Sequence, residues 1–113
     1  MHELSIALSI IELAEEEANK AGSPEINELE LEVGLLAGVD FDALEFALEM
    51  SKKSTLIEHA AISINKIQGK FRCKECDISF TTDDLISPCP SCKNYHLELI
   101  QGNELRIKSL TVK

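Results

Sequence analysis

Apolar residues recur at three- and four-residue steps from the start of the chain. Leu4, Ala7, Leu8, Ile11, Ala14 and Ala18 form one stripe, widened by Ile6, Ile10 and Leu13. This spacing predicts an amphipathic helix that begins almost at residue 1. It should stop near Ala21-Gly22, where glycine supplies a left-handed C′ position and Ser23-Pro24 cannot prolong the helix. The period then changes. Leu29, Leu31 and Val33 alternate with Glu28, Glu30 and Glu32, which turns aliphatic side chains to one face and carboxylates to the other, as in a half-buried strand.

Gly34 and Gly38 bracket a turn, and Asp40 is a good N-cap for a second helix that carries Phe41, Leu44, Ala47 and Leu48 on one face. Lys52 and Lys53 complement the negative end of its dipole. After a loop through Ser54, Thr55 and His59, Ile62 and Ile64 alternate with Ser63 and Asn65 and predict a second strand that ends before Gly69. Near the C-terminal end Leu105 and Ile107 alternate with Arg106 and Lys108, but Leu110 and Val112 continue one residue late. A bulge near Ser109 accounts for the slip.

A length of 113 residues with 44% hydrophobic content suits one small domain, or a small domain with a smaller module. No apolar run reaches the roughly 18 residues of a membrane span, and the acidic opening lacks the basic and apolar regions of a signal peptide. A cytoplasmic protein is therefore expected. The net charge of −9 is unevenly spread. Residues 1–58 carry fourteen acids against three lysines, giving −11, whereas residues 59–113 carry six acids against eight bases, giving +2. An acidic body repels a phosphate backbone, so nucleic acid is disfavoured as a partner. The row Glu28, Glu30 and Glu32 could draw a cation or a basic partner, although the wet face of a half-buried strand is the plainer reading.

The four cysteines fall in two pairs, Cys73-x-x-Cys76 and Cys89-x-x-Cys92. In a reducing compartment paired C-x-x-C turns point to metal more readily than to disulfides. Four thiolates suit a closed tetrahedral zinc site, since each tight turn brings two sulfurs to one ion at about 2.3 Å. Residues 77–88 between the pairs leave room for a short hairpin of zinc-ribbon type, with Phe71 and Phe80 beside the ion and Pro88 and Pro90 stiffening the second turn. The rival readings are a redox dithiol pair, an iron-sulfur centre and catalytic zinc, the last of which would need an open position. His96 could replace a cysteine in some state, or be a surface residue only.

The predicted architecture is α+β: two helices packed on a small three-stranded sheet, with an inserted zinc-ribbon-like module held by the two C-x-x-C motifs. The expected domains are residues 1–69 plus 101–113, and a zinc-binding domain at 70–100.

The opening Met1-His2-Glu3 offers a second kind of metal chemistry. An α-amine, an imidazole and the intervening amides can form a nitrogen-rich square set suited to Ni(II) or Cu(II). Amides in the first turn of a helix have no intrahelical acceptor and are free for other use. Both amine and imidazole compete with protons, so mild acidification should release the metal. The blander reading makes His2 a solvated residue at a frayed end.

Four blocks in order resemble one family: Met1-His2-Glu3-Leu4-Ser5, GLLAGVDFDALEFALEM at 34–50, both C-x-x-C pairs, and GNELRIKSLTV at 102–112. They are similar to the HypA/HybF family of hydrogenase maturation proteins. The resemblance implies a nickel metallochaperone, not an enzyme, that delivers Ni(II) during assembly of [NiFe]-hydrogenase and, in some organisms, urease. It places the nickel ligands at the Met1 amine, the His2 imidazole and amide, and the Glu3 amide, and zinc on Cys73, Cys76, Cys89 and Cys92. The implied partners are the nickel-handling GTPase of hydrogenase maturation and the hydrogenase large subunit. Family members occur as monomers and dimers, which leaves a homodimer open.

The main rival from another class is a zinc-ribbon module that binds nucleic acid or protein, with an incidental N-terminal histidine. Nucleic-acid recognition calls for a basic stripe and stacking aromatics, yet the chain has one Tyr and no Trp. No zinc-protease motif, phosphate loop or nucleophile triad supports an enzyme.

Overall fold

Helix α1 spans Glu3–Lys20 and buries Ala7, Ile10, Ile11, Ala14 and Ala18, in a computed structural model that describes residues 2–113. Met1, an expected nickel ligand, lies outside the described residues. The helix ends as its sequence requires. Gly22 takes φ +68°, its N–H donates to the Asn19 carbonyl, and the Ser23 N–H donates to the Ala18 carbonyl at 3.0 Å. These two bonds are a Schellman closure, which satisfies carbonyls the last turn leaves open.

Strand β1 (Ile26–Gly34) follows, with Ile26, Leu29, Leu31 and Val33 buried. Helix α2 (Phe41–Ser51) starts at Asp40, whose Oδ1 accepts from the Ala43 N–H at 3.1 Å, and buries Leu44, Ala47 and Leu48. The two helices pack on one another. Strand β2 (Ala61–Ile67) and the last strand, β6 (Leu105–Val112), complete a three-stranded sheet in the order β2-β1-β6. The central strand is therefore the one with the strictest alternation.

The glutamate face of β1 is engaged by its neighbours. Glu32 meets Arg106 Nε at 2.7 Å, and Glu30 accepts from Asn65 Nδ2 at 2.8 Å and from Ser109 Oγ at 2.9 Å, while Thr111 Oγ1 reaches Glu28 at 3.4 Å. Lys108 Nζ also lies 3.9 Å from Glu30. Residues 106 and 108, then 109 and 111, all meet one face. The alternation of β6 thus slips by one between Lys108 and Ser109, the bulge-like shift expected from its phase change. These contacts hold the Glu30 carboxyl below the usual carboxylate range, chiefly through the hydrogen bond from Asn65 and then that from Ser109.

A second sheet has the order β4-β3-β5, from β3 (Gly69–Cys73), β4 (Ser79–Thr82) and β5 (Leu97–Gln101). Both neighbours run antiparallel to β3: Phe71 faces Phe80 on one side and Leu99 on the other. The hairpin differs from expectation in one respect. Its first strand leads into Cys73 instead of lying between the cysteine pairs, so residues 77–88 supply only the second strand and a loop. By contacts the chain forms two units, residues 1–32, 39–65 and 106–113, and residues 33–38 and 66–105. The segment Val33–Gly38, placed in the first domain on sequence grounds, groups with the cysteine-bearing unit because its backbone is bonded there. Gly34 N–H donates to the Glu104 carbonyl, Leu35 N–H to that of Ile67, and Leu36 N–H to that of Gly102.

Candidate metal centres

The two C-x-x-C turns are built alike. Asp77 N–H donates to the Cys73 carbonyl and Lys93 N–H to the Cys89 carbonyl, each at 2.9 Å. The residue after the second cysteine of each turn, Asp77 or Lys93, takes φ +63°. Such a left-handed step costs a non-glycine residue roughly 1 kcal/mol or more, and both knuckles accept it to fold the chain back over the sulfurs. Arg72 supports the first knuckle from β3 by pairing with Asp77 and, through Nε at 2.9 Å, with Glu98 on β5.

All four Sγ atoms lie within 4.8 Å of one another, with Cys73 to Cys92 at 3.6 Å and Cys76 to Cys89 at 3.5 Å. A tetrahedron with zinc-sulfur bonds of about 2.3 Å has sulfurs about 3.8 Å apart. The donor set and its spacing therefore fit a zinc ion. Cys73 and Cys89 are fully buried, whereas Cys76 and Cys92 are exposed. Phe71 and Phe80 pack beside this module with ring centroids 6.1 Å apart.

The electrostatics sort the thiols into two kinds. The N–H groups of Cys76 and then Glu75 hold the Cys73 thiol below its ordinary range, and those of Cys92 and then Ser91 lower Cys89 to about 6, in both cases against burial. The Ile78 N–H favours the Cys76 thiolate, but the Cys89 sulfur beside it and desolvation push Cys76 up to about 12. Asn94 N–H likewise favours the Cys92 thiolate, yet burial and the Cys73 sulfur push that thiol up. Within each close sulfur pair one thiol is thus shifted down and the other up.

A zinc ion needs thiolates, so a lowered pKa favours binding at neutral pH, and protonation competes as pH falls through about 6 at Cys89.

His96 lies apart from the thiol set. Its Nδ1 meets Glu75 Oε1 at 2.9 Å, and its carbonyl accepts from the Lys74 N–H at 3.0 Å. Sequence reasoning did not find this pair, or the Arg72 bridge. Both depend on β3 and β5 lying side by side, and β5 has no buried position to mark it as a strand.

At the N-terminal end His2 is exposed and caps α1 through its backbone only, its carbonyl accepting from the Ile6 N–H at 3.1 Å. The His2 side chain makes no cap hydrogen bond, and the leading amides have no backbone acceptor within the helix. Glu3 Oε2 accepts from the Asp40 N–H at 3.0 Å. That bond, and next the residue's own N–H, keep the Glu3 carboxyl below its usual range. The contact ties the start of α1 to the cap of α2, with His2 left outside it. No sequence signal marks it, because it links helix ends 37 residues apart.

Residues 1–112 match the family model described as "Hydrogenase/urease nickel incorporation, metallochaperone, hypA". The chain is 46% identical over its whole length to the hydrogenase maturation factor HypA of Parabacteroides distasonis, covering 98% of that protein. It is 37% identical to that of Geobacter metallireducens, with both chains fully covered. Its fold is similar to the solution structure of the Ni metallochaperone HypA from Helicobacter pylori, with a TM-score of 0.71 at 29% identity over 99% of this chain and 97% of the other.

Proposed function

From the premise that this chain belongs to the HypA family of nickel-incorporation metallochaperones, maturation factors and not enzymes, we propose that it carries Ni(II) on its N-terminal motif. The ligands are the Met1 α-amine, the His2 imidazole and amide, and the Glu3 amide. Zinc is a resident structural ion on Cys73, Cys76, Cys89 and Cys92. The observation that supports the nickel reading best is the placement of His2: exposed, at a helix end without a side-chain cap, beside a Glu3 whose carboxylate is held by Asp40. The His2 imidazole is accessible to an incoming ligand, while Glu3 next to it is anchored to a folded body.

Delivery follows from that exposure. A site made of a few residues at a chain end can pass its ion to another ligand set without unfolding the core. The recipients are the nickel-handling GTPase of hydrogenase maturation and the hydrogenase large subunit, with urease as an alternative client, all in the cytoplasm. Among the described residues no helix is long and apolar enough to cross a membrane.

The amine contribution is tested with a semisynthetic chain acetylated at Met1. Its nickel affinity, read by native mass spectrometry, is expected to fall by about 100-fold or more, while zinc stays bound. Equal nickel uptake by the acetylated chain would refute the ligand set. Copper should outcompete nickel in vitro, because Cu(II) stands above Ni(II) at nitrogen sites in the Irving-Williams order. A competition titration in which nickel displaces bound copper would contradict a nitrogen-rich site.

A further inference from the structure

The two edges of the three-stranded sheet are unlike. At β6 the alternation slips between Lys108 and Ser109, and Arg106 and Lys108 stand on the strand. Charge and a bulge are the usual means by which a strand edge is made unfit for further pairing. Strand β2, Ala61-Ile-Ser-Ile-Asn-Lys-Ile67, has no proline, and its one charge, Lys66, is near its end. Its order in the sheet gives it β1 on one side only.

Beside that edge is a groove of about 250 Å³ in the same unit, lined by Glu45, Leu48 and Glu49 of α2 and by Ile62 and Ile64 of β2. Its apolar lining is Leu48, Ile62 and Ile64, and its polar lining is two carboxylates. Glu49 meets Lys52 Nζ at 2.9 Å, whereas Glu45 has no ion pair among the described residues. An apolar groove with an open carboxylate suits the side chain of lysine or arginine, whose aliphatic stem lies on hydrocarbon while its head reaches the acid.

We propose that the β2 edge and the α2 groove together form a docking surface for an extended basic segment of a partner protein, which adds as a fourth strand beside β2. Its backbone pairs with the open side of residues 61–65, and alternate lysine or arginine side chains enter the groove toward Glu45. The strongly acidic first half of the chain, −11 over residues 1–58, favours the encounter. Backbone pairing supplies affinity, and the side chains at every second position supply selectivity. The surface does not involve the N-terminal motif, so it stands or falls separately from the nickel reading.

The test uses the untagged, zinc-loaded chain and an alternating valine-lysine heptapeptide as probe, followed by amide NMR and hydrogen exchange. Binding is expected to shift the amides of 61–65, 45, 48 and 49 and to slow exchange along that part of β2. Glu45→Lys, a change at an exposed helix position, should weaken binding by about tenfold. The same peptide N-methylated at alternate residues keeps its charge but loses its strand-pairing donors, and should not bind. The proposal is overturned if the N-methylated or an alternating valine-glutamate peptide binds equally well. Shifts confined to the Glu28, Glu30 and Glu32 face would also overturn it, as would slowed exchange along β2 from self-association before any peptide is added.

Discussion

Replacing Cys89 by serine is expected to abolish zinc binding and to unfold residues 66–105, with loss of dispersed amide signals throughout β3, β4 and β5. The size of the effect follows from what the module lacks. Of the hydrophobic residues of that unit only Val33, Leu36, Phe71, Cys73 and Cys89 are buried, while Leu85, Ile86 and Tyr95 are exposed. So few buried groups cannot offset the ordering of some 46 residues, at roughly 1 to 2 kcal/mol of backbone entropy each. A structural zinc ion contributes an apparent ~10 to 16 kcal/mol in comparable small modules. Cys89 is fully buried, and its sulfur receives two N–H groups that a serine oxygen, bound too weakly to zinc, would not repay. Residues of α1, α2 and β1 have their own core in Leu29, Leu31, Leu44, Leu48 and Ile57, so their amide signals should persist. A folded β3-β4-β5 sheet in Cys89→Ser without metal would show that zinc is dispensable to the module.

Gly34→Ala should destabilise the chain by about 3 kcal/mol, the upper range for forced overpacking. A Cβ there would overlap the Gly102 carbonyl, and would come 2.6 Å from the Asn103 nitrogen. Both obstacles are backbone, so no rotamer can relieve them. The neighbouring bonds, Gly34 N–H to the Glu104 carbonyl at 2.8 Å and Leu36 N–H to the Gly102 carbonyl at 2.7 Å, hold the two segments at this separation. Gly22→Ala is the contrast. Nothing lies within 4 Å of its would-be Cβ, so the cost there is only the left-handed backbone, about 1 kcal/mol. Urea unfolding of the zinc-loaded variants separates the two cases. Equal losses would mean that close approach is not what Gly34 provides.

The part of the fold that is legible in sequence is the part where one face is buried and the other wet. The stripe from Leu4 to Ala18 and the Leu-Glu alternation of β1 both announce a boundary between core and solvent, and the structure buries Ala7, Ile11, Leu29 and Leu31 as that pattern requires. The slip in β6 was readable for the same reason, because a change of register moves every apolar residue to the wrong face. Strand β5 was not. Its Leu99 and Ile100 remain partly exposed, so no inside and outside distinguish its residues. The cysteine cluster was legible because ligand chemistry dictates spacing. The supports around it, Arg72 to Glu98 and His96 to Glu75, join residues 26 and 21 apart and follow only from strand pairing. The carboxylate row Glu28, Glu30 and Glu32 reads in sequence as a wet face, and the structure gives it partners on both neighbouring strands.

The most direct measurement is a nickel titration of the untagged, zinc-loaded protein beside its His2→Ala variant, followed by native mass spectrometry and absorption spectroscopy. His2 is exposed and makes no side-chain cap, so the substitution leaves the fold and the zinc site intact. The wild type is expected to take up nickel with the spectrum of a planar, nitrogen-rich site, and the variant to lose nickel while keeping zinc. Equal nickel binding by both proteins, or by neither, would contradict an N-terminal nickel site.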